Sequence, residues 1–272
     1  MFTSSRKRFT ISSCATLIPV AALALFTLTS ADRAIAASPS LPALHSASNF
    51  AVLAGSTVTS TGATAVTGDL GVSPGTAITG FGPGTVSGSI HAGDPAAAQA
   101  QSDLTNAYNV LAGLACNSQL TGQDLGGKTL APGVYCFSSS AQLTGTLTLD
   151  GRGSGNGVFI FQISSTLTTG TNAAVVMTGG GKPCNVFWQV GSSATLGTGT
   201  AFVGNILAYS SISLTRGARL SGRALARSGA VTMDANVISN AGCPGGKSRS
   251  HDKDQGKGHD KNHGKEHGKD HH

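Results

Sequence analysis

The sequence predicts an all-β fold with one long helix, in which the chain winds as a β-solenoid (β-helix) and the α-helix packs alongside it. Four segments near the C-terminus align with each other, starting at residues 158, 185, 205 and 223, and a fifth starts at residue 49. In each segment, short runs alternate apolar with polar or small residues and end in Gly-rich turns, a pattern typical of strands. A repeat of about 18 to 20 residues predicts one coil with three short faces, so that neighbouring coils cover each other's apolar interior.

The large apolar residues of these segments supply the expected interior of the coils. Alternate residues of a strand point to opposite sides, which places one set inside. The side chains expected to point inward are Phe159, Phe161, Phe187, Ile206 and Leu225. Trp188, the single tryptophan, is interpreted as a packing residue rather than a ligand contact.

One segment, residues 94 to 115, has the pattern of a helix instead. Asp94 is a favourable N-cap, Pro95 suits the first helical position, and strong helix formers follow. The spacing of the apolar residues predicts a helix over about 95–114 with one buried face. That face consists of Leu104, Tyr108, Leu111 and Ala115.

The start of the chain reads as a signal peptide, residues 1–36. Arg6, Lys7 and Arg8 precede an apolar run, and Ala34-Ile35-Ala36 forms an A-x-A cleavage site. The apolar run is too short for a convincing membrane span. We therefore expect a mature domain at 37–246 that is secreted and acts outside the cell or at its surface, without a membrane span.

The last segment, 247–272, is a Lys/His/Gly/Asp-rich tail without apolar residues, which predicts disorder. Its histidines recur every four residues, at His259, His263, His267 and His271. One interpretation is weak, flexible binding of zinc, nickel or copper. The other is a soluble tail or surface tether.

Four cysteines remain after the signal peptide, and an even number in an exported chain favours two disulfides. Spacing alone allows three connectivities. Our preferred pairing joins Cys116 with Cys136, the near neighbours, and Cys184 with Cys243, the two ends of the C-terminal half.

Charge and composition argue against several classes of function. Residues 37–246 contain 7 basic and 6 acidic residues, without a basic stripe for nucleic acid. They contain six aspartates, no glutamate and two histidines, which is little for acid/base catalysis or a metal site. We expect a monomeric protein that is not an enzyme and has no cofactor, no metal site in the domain and no nucleic-acid partner.

Gly122 to Thr129, "GQDLGGKT", formally matches a P-loop. That motif works only where a buried strand leads into a helix, and here Pro132 follows in "LAPGVYCF". An ordinary Gly-rich turn is the expected structure.

A four-residue element recurs where the aligned segments turn. Its copies begin at Thr61, Thr169, Thr198, Thr215 and Asp234. Coils stack about 4.8 Å apart and alternate residues on a strand lie roughly 6.7 Å apart, so threonines at these positions predict a two-dimensional lattice of hydroxyls and methyls. A stiff, uncharged, periodic surface is suited to another periodic surface, and crystalline water is one.

The chain from about Leu41 to Cys243 resembles the secreted microbial ice-binding proteins of the DUF3494 family. The resemblance depends on blocks in the family's order: "SASNFAVLAGSTVTSTG", "TGDLGVSPGTAITGF", "IHAGDPAAAQAQSDLTNAYN", "LAPGVYCF", "NVFWQVGSSATLGTGTAFVGNILA" and "GRALARSGAVTM". It implies a right-handed, discontinuous β-solenoid with a parallel helix, and adsorption to ice with inhibition of recrystallisation.

Some members of that family carry a T-[AG]-x-[TN] element on the ice-binding face, which residues 61–64 and 169–172 match in full. We expect Arg216 and Asp234 to interrupt the lattice. The ice-binding residues that the resemblance implies are Thr61, Thr64, Thr169, Thr171, Asn172, Thr198, Thr200 and Thr215.

The sequence thus predicts a secreted protein that adsorbs to ice through a flat Thr/Ser/Ala-rich face and inhibits ice growth and recrystallisation. The alternative is an extracellular adhesive or structural β-solenoid that binds a glycan or matrix and carries a cationic or metal-binding tail.

Overall fold

The structure is a computed structural model that describes residues 42–243 of the 272-residue chain. The predicted signal peptide, 1–36, and the tail at 247–272 with its histidines lie outside the described residues. The strands before the helix are β1 (Phe50–Ala54), β2 (Thr57–Thr61), β3 (Ala65–Thr67), β4 (Asp69–Val72), β5 (Ala77–Thr79), β6 (Thr85–Val86) and β7 (Ile90–Ala92).

Helix α1 (Pro95–Ala112) follows, and two 3₁₀ turns lie at His45–Asn49 and Pro183–Asn185. The strands after the helix are β8 (Ser118–Gln119), β9 (Thr129–Leu130), β10 (Gly133–Phe137), β11 (Ala141–Leu143), β12 (Thr146–Asp150), β13 (Phe159–Ile163), β14 (Leu167–Thr169), β15 (Ala174–Thr178), β16 (Val186–Val190), β17 (Ala194–Leu196), β18 (Ala201–Ala208), β19 (Ile212–Leu214), β20 (Arg219–Ala226), β21 (Val231–Asp234) and β22 (Val237–Ser239).

The strands stack as coils, and neighbouring coils pair in parallel and in register. Each full coil contributes one strand to each of three faces, which we call the helix face, the threonine face and the third face. The helix face is formed by β8, β10, β13, β16, the second halves of β18 and β20, β1, β4 and β7. The threonine face is formed by β11, β14, β17, β19, β21, β2 and β5, and the third face by β9, β12, β15, the first halves of β18 and β20, β22, β3 and β6. From one end of the stack to the other, the coils are coil 1 (118–130), coil 2 (133–150), coil 3 (159–178), coil 4 (186–203), coil 5 (205–221), coil 6 (223–239), coil 7 (50–67) and coil 8 (69–86).

The stacking order differs from the chain order, which makes the solenoid discontinuous. Strand β1 pairs with β20 on one side and with β4 on the other, so the N-terminal coils continue the C-terminal ones. The buried Arg223 supports this junction, because its Nε and Nη2 donate to the Ser48 carbonyl at 3.0 and 2.8 Å. The chain then leaves coil 8 through β7, and α1 leads to coil 1.

Strands β18 and β20 each pass without interruption from the third face to the helix face. They bend at Gly204 and Gly222, which have φ angles of 112° and 152°. A Cβ added to Gly222 would lie 1.9 Å from the Gly204 carbonyl oxygen. Only glycine permits this corner, because any side chain would overlap the neighbouring coil.

Aromatic side chains fill the interior of coils 2 to 4. The rings of Phe161 and Trp188 stack with centroids 3.9 Å apart, and Tyr135 and Phe202 continue the stack on either side. Trp188 is fully buried and donates its indole N–H to the Val203 carbonyl at 2.9 Å. Its predicted packing role is therefore confirmed.

The predicted interior is correct for Phe159, Phe161 and Ile206 but wrong for Phe187 and Leu225. The latter two are buried, but they lie outside the coils, in the layer between the helix face and α1. Strands of the helix face carry apolar residues on both sides, because one side packs inside the coil and the other beneath the helix.

Helix α1 is held on the solenoid by apolar and polar contacts. Leu104, Tyr108 and Leu111 are buried, as predicted, whereas Ala115 lies beyond the helix end and is exposed. The Asp94 carboxylate caps the helix by accepting from the Ala97 amide at 2.9 Å. Asp103 accepts hydrogen bonds from the backbone amide and the hydroxyl of Ser46 and from the side-chain amide of Gln99.

Both predicted disulfides are confirmed, Cys116 with Cys136 and Cys184 with Cys243. The first joins the segment after α1 to β10. The second joins the 3₁₀ turn before β16 to the end of the described chain. Each closes a loop and stabilises the fold by about 2 to 4 kcal/mol, mainly through the unfolded chain.

Asp103 predicts a pH dependence of the stability. Burial raises the pKa of its carboxyl, but hydrogen bonds from Ser46 and Gln99 lower it by more, so its pKa lies below the ordinary 3.8. Since the folded pKa is below the unfolded one, Asp103 stabilises the fold above the unfolded pKa, and this contribution is lost as the pH falls through the folded pKa. We expect Asp103→Asn to lower the free energy of unfolding by on the order of 1 to 3 kcal/mol at pH 7. The variant should also lose less of that free energy than the parent does when the pH is lowered.

The measurement is urea unfolding of the parent and of Asp103→Asn at pH 7 and at about pH 3, below the ordinary carboxyl pKa. An equal loss of stability at low pH in both proteins would contradict this role of Asp103.

Candidate threonine surface

The outer side of the seven-stranded sheet carries an in-register row of uncharged polar side chains, six of which are hydroxyls. Because alternate residues of a strand point outward, each coil contributes its middle outward residue to this row. We call it the central row: Gln142, Thr168, Thr195, Ser213, Thr232, Thr59 and Thr79. The inward neighbours are core residues, among them Leu167, Ala194, Ile212 and Val231. No residue of the central row carries a charge.

A second outward row lies two residues earlier, beside the helix face. It consists of Ser140, Thr166, Ser193, Ser211, Ala230, Thr57 and Ala77. Its hydroxyls are linked between coils: Thr166 donates to Ser140 Oγ at 2.9 Å, and Ser193 Oγ accepts from the Ser211 amide at 3.3 Å. In the central row, Thr232 donates to Ser213 at 3.1 Å. The two rows form the outer surface of the threonine face.

The corner between the threonine face and the third face is a stack of left-handed turns. In coils 3 to 7 the left-handed residues are Asn172, Gly199, Gly217, Ala235 and Gly62. Amide-to-carbonyl hydrogen bonds of 2.8 to 3.0 Å join each turn to the next. The residue before each left-handed one forms the corner column: Thr171, Thr198, Arg216, Asp234 and Thr61.

The structure corrects the sequence interpretation at Thr64, Thr169 and Thr200. Their exposed fractions are 1%, 4% and 0%, and their side chains are in the interior of the coils. Thr169 is paired in register with the core residue Leu143, and the outward residue of that strand is Thr168. A direct contact of these three side chains with a flat ligand is therefore excluded by their burial.

The other residues implied by the sequence lie at the surface. Thr61, Thr171, Asn172 and Thr198 are exposed, and Thr215 is partly exposed. The Thr198 and Thr215 hydroxyls lie 3.3 Å apart, and Thr215 also donates to the Leu196 carbonyl at 2.8 Å.

The alignment of the five recurring elements is also corrected. Thr198 stacks on Thr171 and not on Thr169, and Arg216 rather than Thr215 takes the next position of the corner column. The two charged residues, Arg216 and Asp234, are neighbours in that column. Asp234 and Thr61 were aligned correctly.

Sequence reasoning missed the central row, although a signal for it exists. In coils 4 to 6 a hydroxyl residue stands between two inward core residues, as in Ala194-Thr195-Leu196, Ile212-Ser213-Leu214 and Val231-Thr232-Met233. This three-residue pattern marks the outward position more directly than the turn element does.

Residues 42–243 contain no group of three or more His, Cys, Asp or Glu side chains that could hold a metal ion. The formal P-loop, Gly122 to Thr129, consists of turns and the start of β9, as the sequence analysis expected. Within the described part of the chain, no helix has the length and hydropathy needed to cross a membrane.

Comparison with known proteins finds the same fold and a named family. A family model described as Ice-binding-like matches residues 52–239. An ice-binding protein of Nostoc sp. (strain HG1) is 61% identical over 203 residues, which are 74% of this chain and 75% of that protein.

Two solved structures of ice-binding proteins resemble the fold closely. One, from an Antarctic biological consortium, has a TM-score of 0.72 and 48% identity over 74% of this chain and 91% of its own. The other, from the Antarctic ascomycete Antarctomyces psychrotrophicus, has a TM-score of 0.72 and 40% identity over 74% of this chain and 98% of its own. The fold, the family model and the identity of these relatives agree, and the chain belongs to the ice-binding-like family.

Proposed function

We propose that this protein binds ice through the threonine face, with the exposed threonines of the corner column at its border. The observation that carries this proposal is the central row, in which seven coils present uncharged polar side chains at equivalent positions. Family membership supports ice as the ligand and does not favour the alternative of a glycan- or matrix-binding module.

The geometry of the face suits a crystalline ligand. In-register strands repeat about every 4.8 Å across the sheet, and outward residues repeat roughly every 6.7 Å along a strand. The branched Cβ of threonine restricts χ1, so little rotamer entropy is lost when the face is held against ordered water. Its methyl group reduces the hydration of the free surface, while its hydroxyl offers a hydrogen bond to the ice lattice.

Binding of this kind uses many weak contacts and no catalytic residue. The family is one of ice binding and not of enzymes, and we propose that this chain has no catalytic activity. Since residues 1–36 read as a signal peptide, we propose that the protein acts on extracellular ice. We also propose that it acts as a monomer.

The first prediction concerns the central row. Thr232 is exposed in the middle of the stack, and Thr232→Tyr raises a bulky ring above the row, which holds the face away from ice. We expect inhibition of ice recrystallisation to require about tenfold more protein, on the order of 1.4 kcal/mol of adsorption free energy. A recrystallisation assay with a dilution series measures the change.

The matched control is Thr67→Tyr. Thr67 is an exposed threonine in β3 on the third face, so this variant should keep the activity of the parent. Equal activity of the Thr232→Tyr variant and the parent, with both folded, would refute the proposed face.

The second prediction concerns the charge in the corner column. Arg216 is exposed beside Thr198, where its long, hydrated side chain interrupts the row of threonines. We expect Arg216→Thr to extend the contact and to lower, by about two- to threefold, the concentration needed to inhibit recrystallisation, which corresponds to less than about 1 kcal/mol.

Arg219→Thr serves as its control. Arg219 is also exposed, but it lies on the third face in register with Ala201 and Val237. An equal gain from both arginine variants would indicate a general effect of net charge and would contradict a contact at the corner.

A further inference from the structure

A chain of buried hydrogen bonds crosses from coil 3 to coil 4 beneath the exposed corner. The Gly197 amide donates to Thr169 Oγ1 at 2.8 Å, and Thr169 Oγ1 lies 2.8 Å from Thr200 Oγ1. Thr200 Oγ1 donates to the Gly170 carbonyl at 3.2 Å. Since each hydroxyl has one proton, Thr169 donates to Thr200, and the chain runs in one direction from Gly197 to Gly170.

The two backbone groups at the ends of this chain directly precede exposed threonines. Gly170 is followed by Thr171, and Gly197 by Thr198. The coils are close at this point, because a Cβ on Gly197 would lie 2.6 Å from the Thr169 carbonyl oxygen and 2.7 Å from that of Gly170. The buried hydroxyls therefore set the backbone from which both exposed side chains project.

A second group of the same kind lies where coils 5 to 7 meet. The buried Thr64 Oγ1 accepts from Ser60 Oγ at 2.8 Å and from the Asn236 amide at 3.3 Å. Asn236 Nδ2 donates to the Thr215 and Ala218 carbonyls at 2.8 and 3.1 Å. This group lies beneath Thr61, the last residue of the corner column.

Packing alone does not account for these hydroxyls. The position of Thr169 in its strand corresponds to Leu143 in coil 2, which fills the core without a polar group. Burying a hydroxyl costs free energy that its hydrogen bonds only offset. Hydrogen bonds are directional, however, and they fix the separation and the angle of two turns more narrowly than apolar contact does.

We propose that Thr169, Thr200 and Thr64 are positioning residues for ice binding, which hold the exposed threonines of the corner at the spacing of the threonine face. This inference depends on the proposed function. It also gives a role to three residues that the sequence analysis assigned to direct contact.

The test removes one hydroxyl and keeps the shape of the side chain. Thr200→Val breaks the chain between Thr169 and Gly170, whereas Thr200→Ser keeps the hydroxyl. We expect the valine variant, at equal folded concentration, to need about three- to tenfold more protein to inhibit recrystallisation. The serine variant should have the activity of the parent.

Two further variants separate positioning from a general loss of stability. Ile206→Val weakens the core of coil 5. Because Ile206 lies in the part of β18 that belongs to the helix face, this variant lowers the melting temperature without touching the corner. We expect it to keep its ice activity. Because Thr200 acts through the corner threonines, adding Thr200→Val to Thr198→Tyr should cost less than it costs in the parent.

The outcomes distinguish this inference from the proposed function. Full ice activity of a folded Thr200→Val, together with a loss in Thr232→Tyr, would overturn the positioning role and leave the threonine face intact. Full activity of Thr232→Tyr would refute the face itself. If Thr200→Val does not fold, Thr64→Val and Thr64→Ser repeat the comparison at the other group, and full activity of folded Thr64→Val would overturn the inference.

Discussion

The whole molecule depends on the in-register, parallel stacking of its coils. Each residue lies over the equivalent residue of the next coil, so the residues at one position of successive coils form a line across a face. Inward lines must be apolar or fully hydrogen-bonded, which gives the aromatic stack around Trp188 and the buried hydroxyls at the corner. On the threonine face the outward lines are exposed or partly exposed and free of that demand, and the central row repeats uncharged polar side chains along seven coils.

The general fold could be predicted because stacking leaves a periodic record in the sequence. The segments at 49, 158, 185, 205 and 223 correspond to coils, and capping by Asp94 marks the start of the helix. The direction of Phe187 and Leu225 could not be derived from alternation. Both sides of their strands are buried, one in the coil and the other under α1, so apolar residues on either side look alike.

The residues of the surface were harder to predict than the fold, because the turn element was aligned by its letters. Thr169-Gly170 and Thr198-Gly199 look equivalent in sequence. The left-handed backbone at Asn172 and Gly199 shows instead that Thr198 corresponds to Thr171, two residues after Thr169. Since outward and inward positions alternate, residue type alone does not reveal which threonine is exposed. Burial of the neighbours decides it, as it does for Thr168 and Thr169.

The positions of Arg216 and Asp234 follow from the same constraint. A charge in the central row would stand between polar side chains of the two neighbouring coils, and its hydration shell would interrupt the row. In the corner column the two charges lie at the border of the threonine face, where Arg216 is exposed and Asp234 is partly exposed. Opposite charges on adjacent coils also limit the local field. The protein therefore carries charge at the border of the threonine face and none in the central row, which fits the proposed contact with ice.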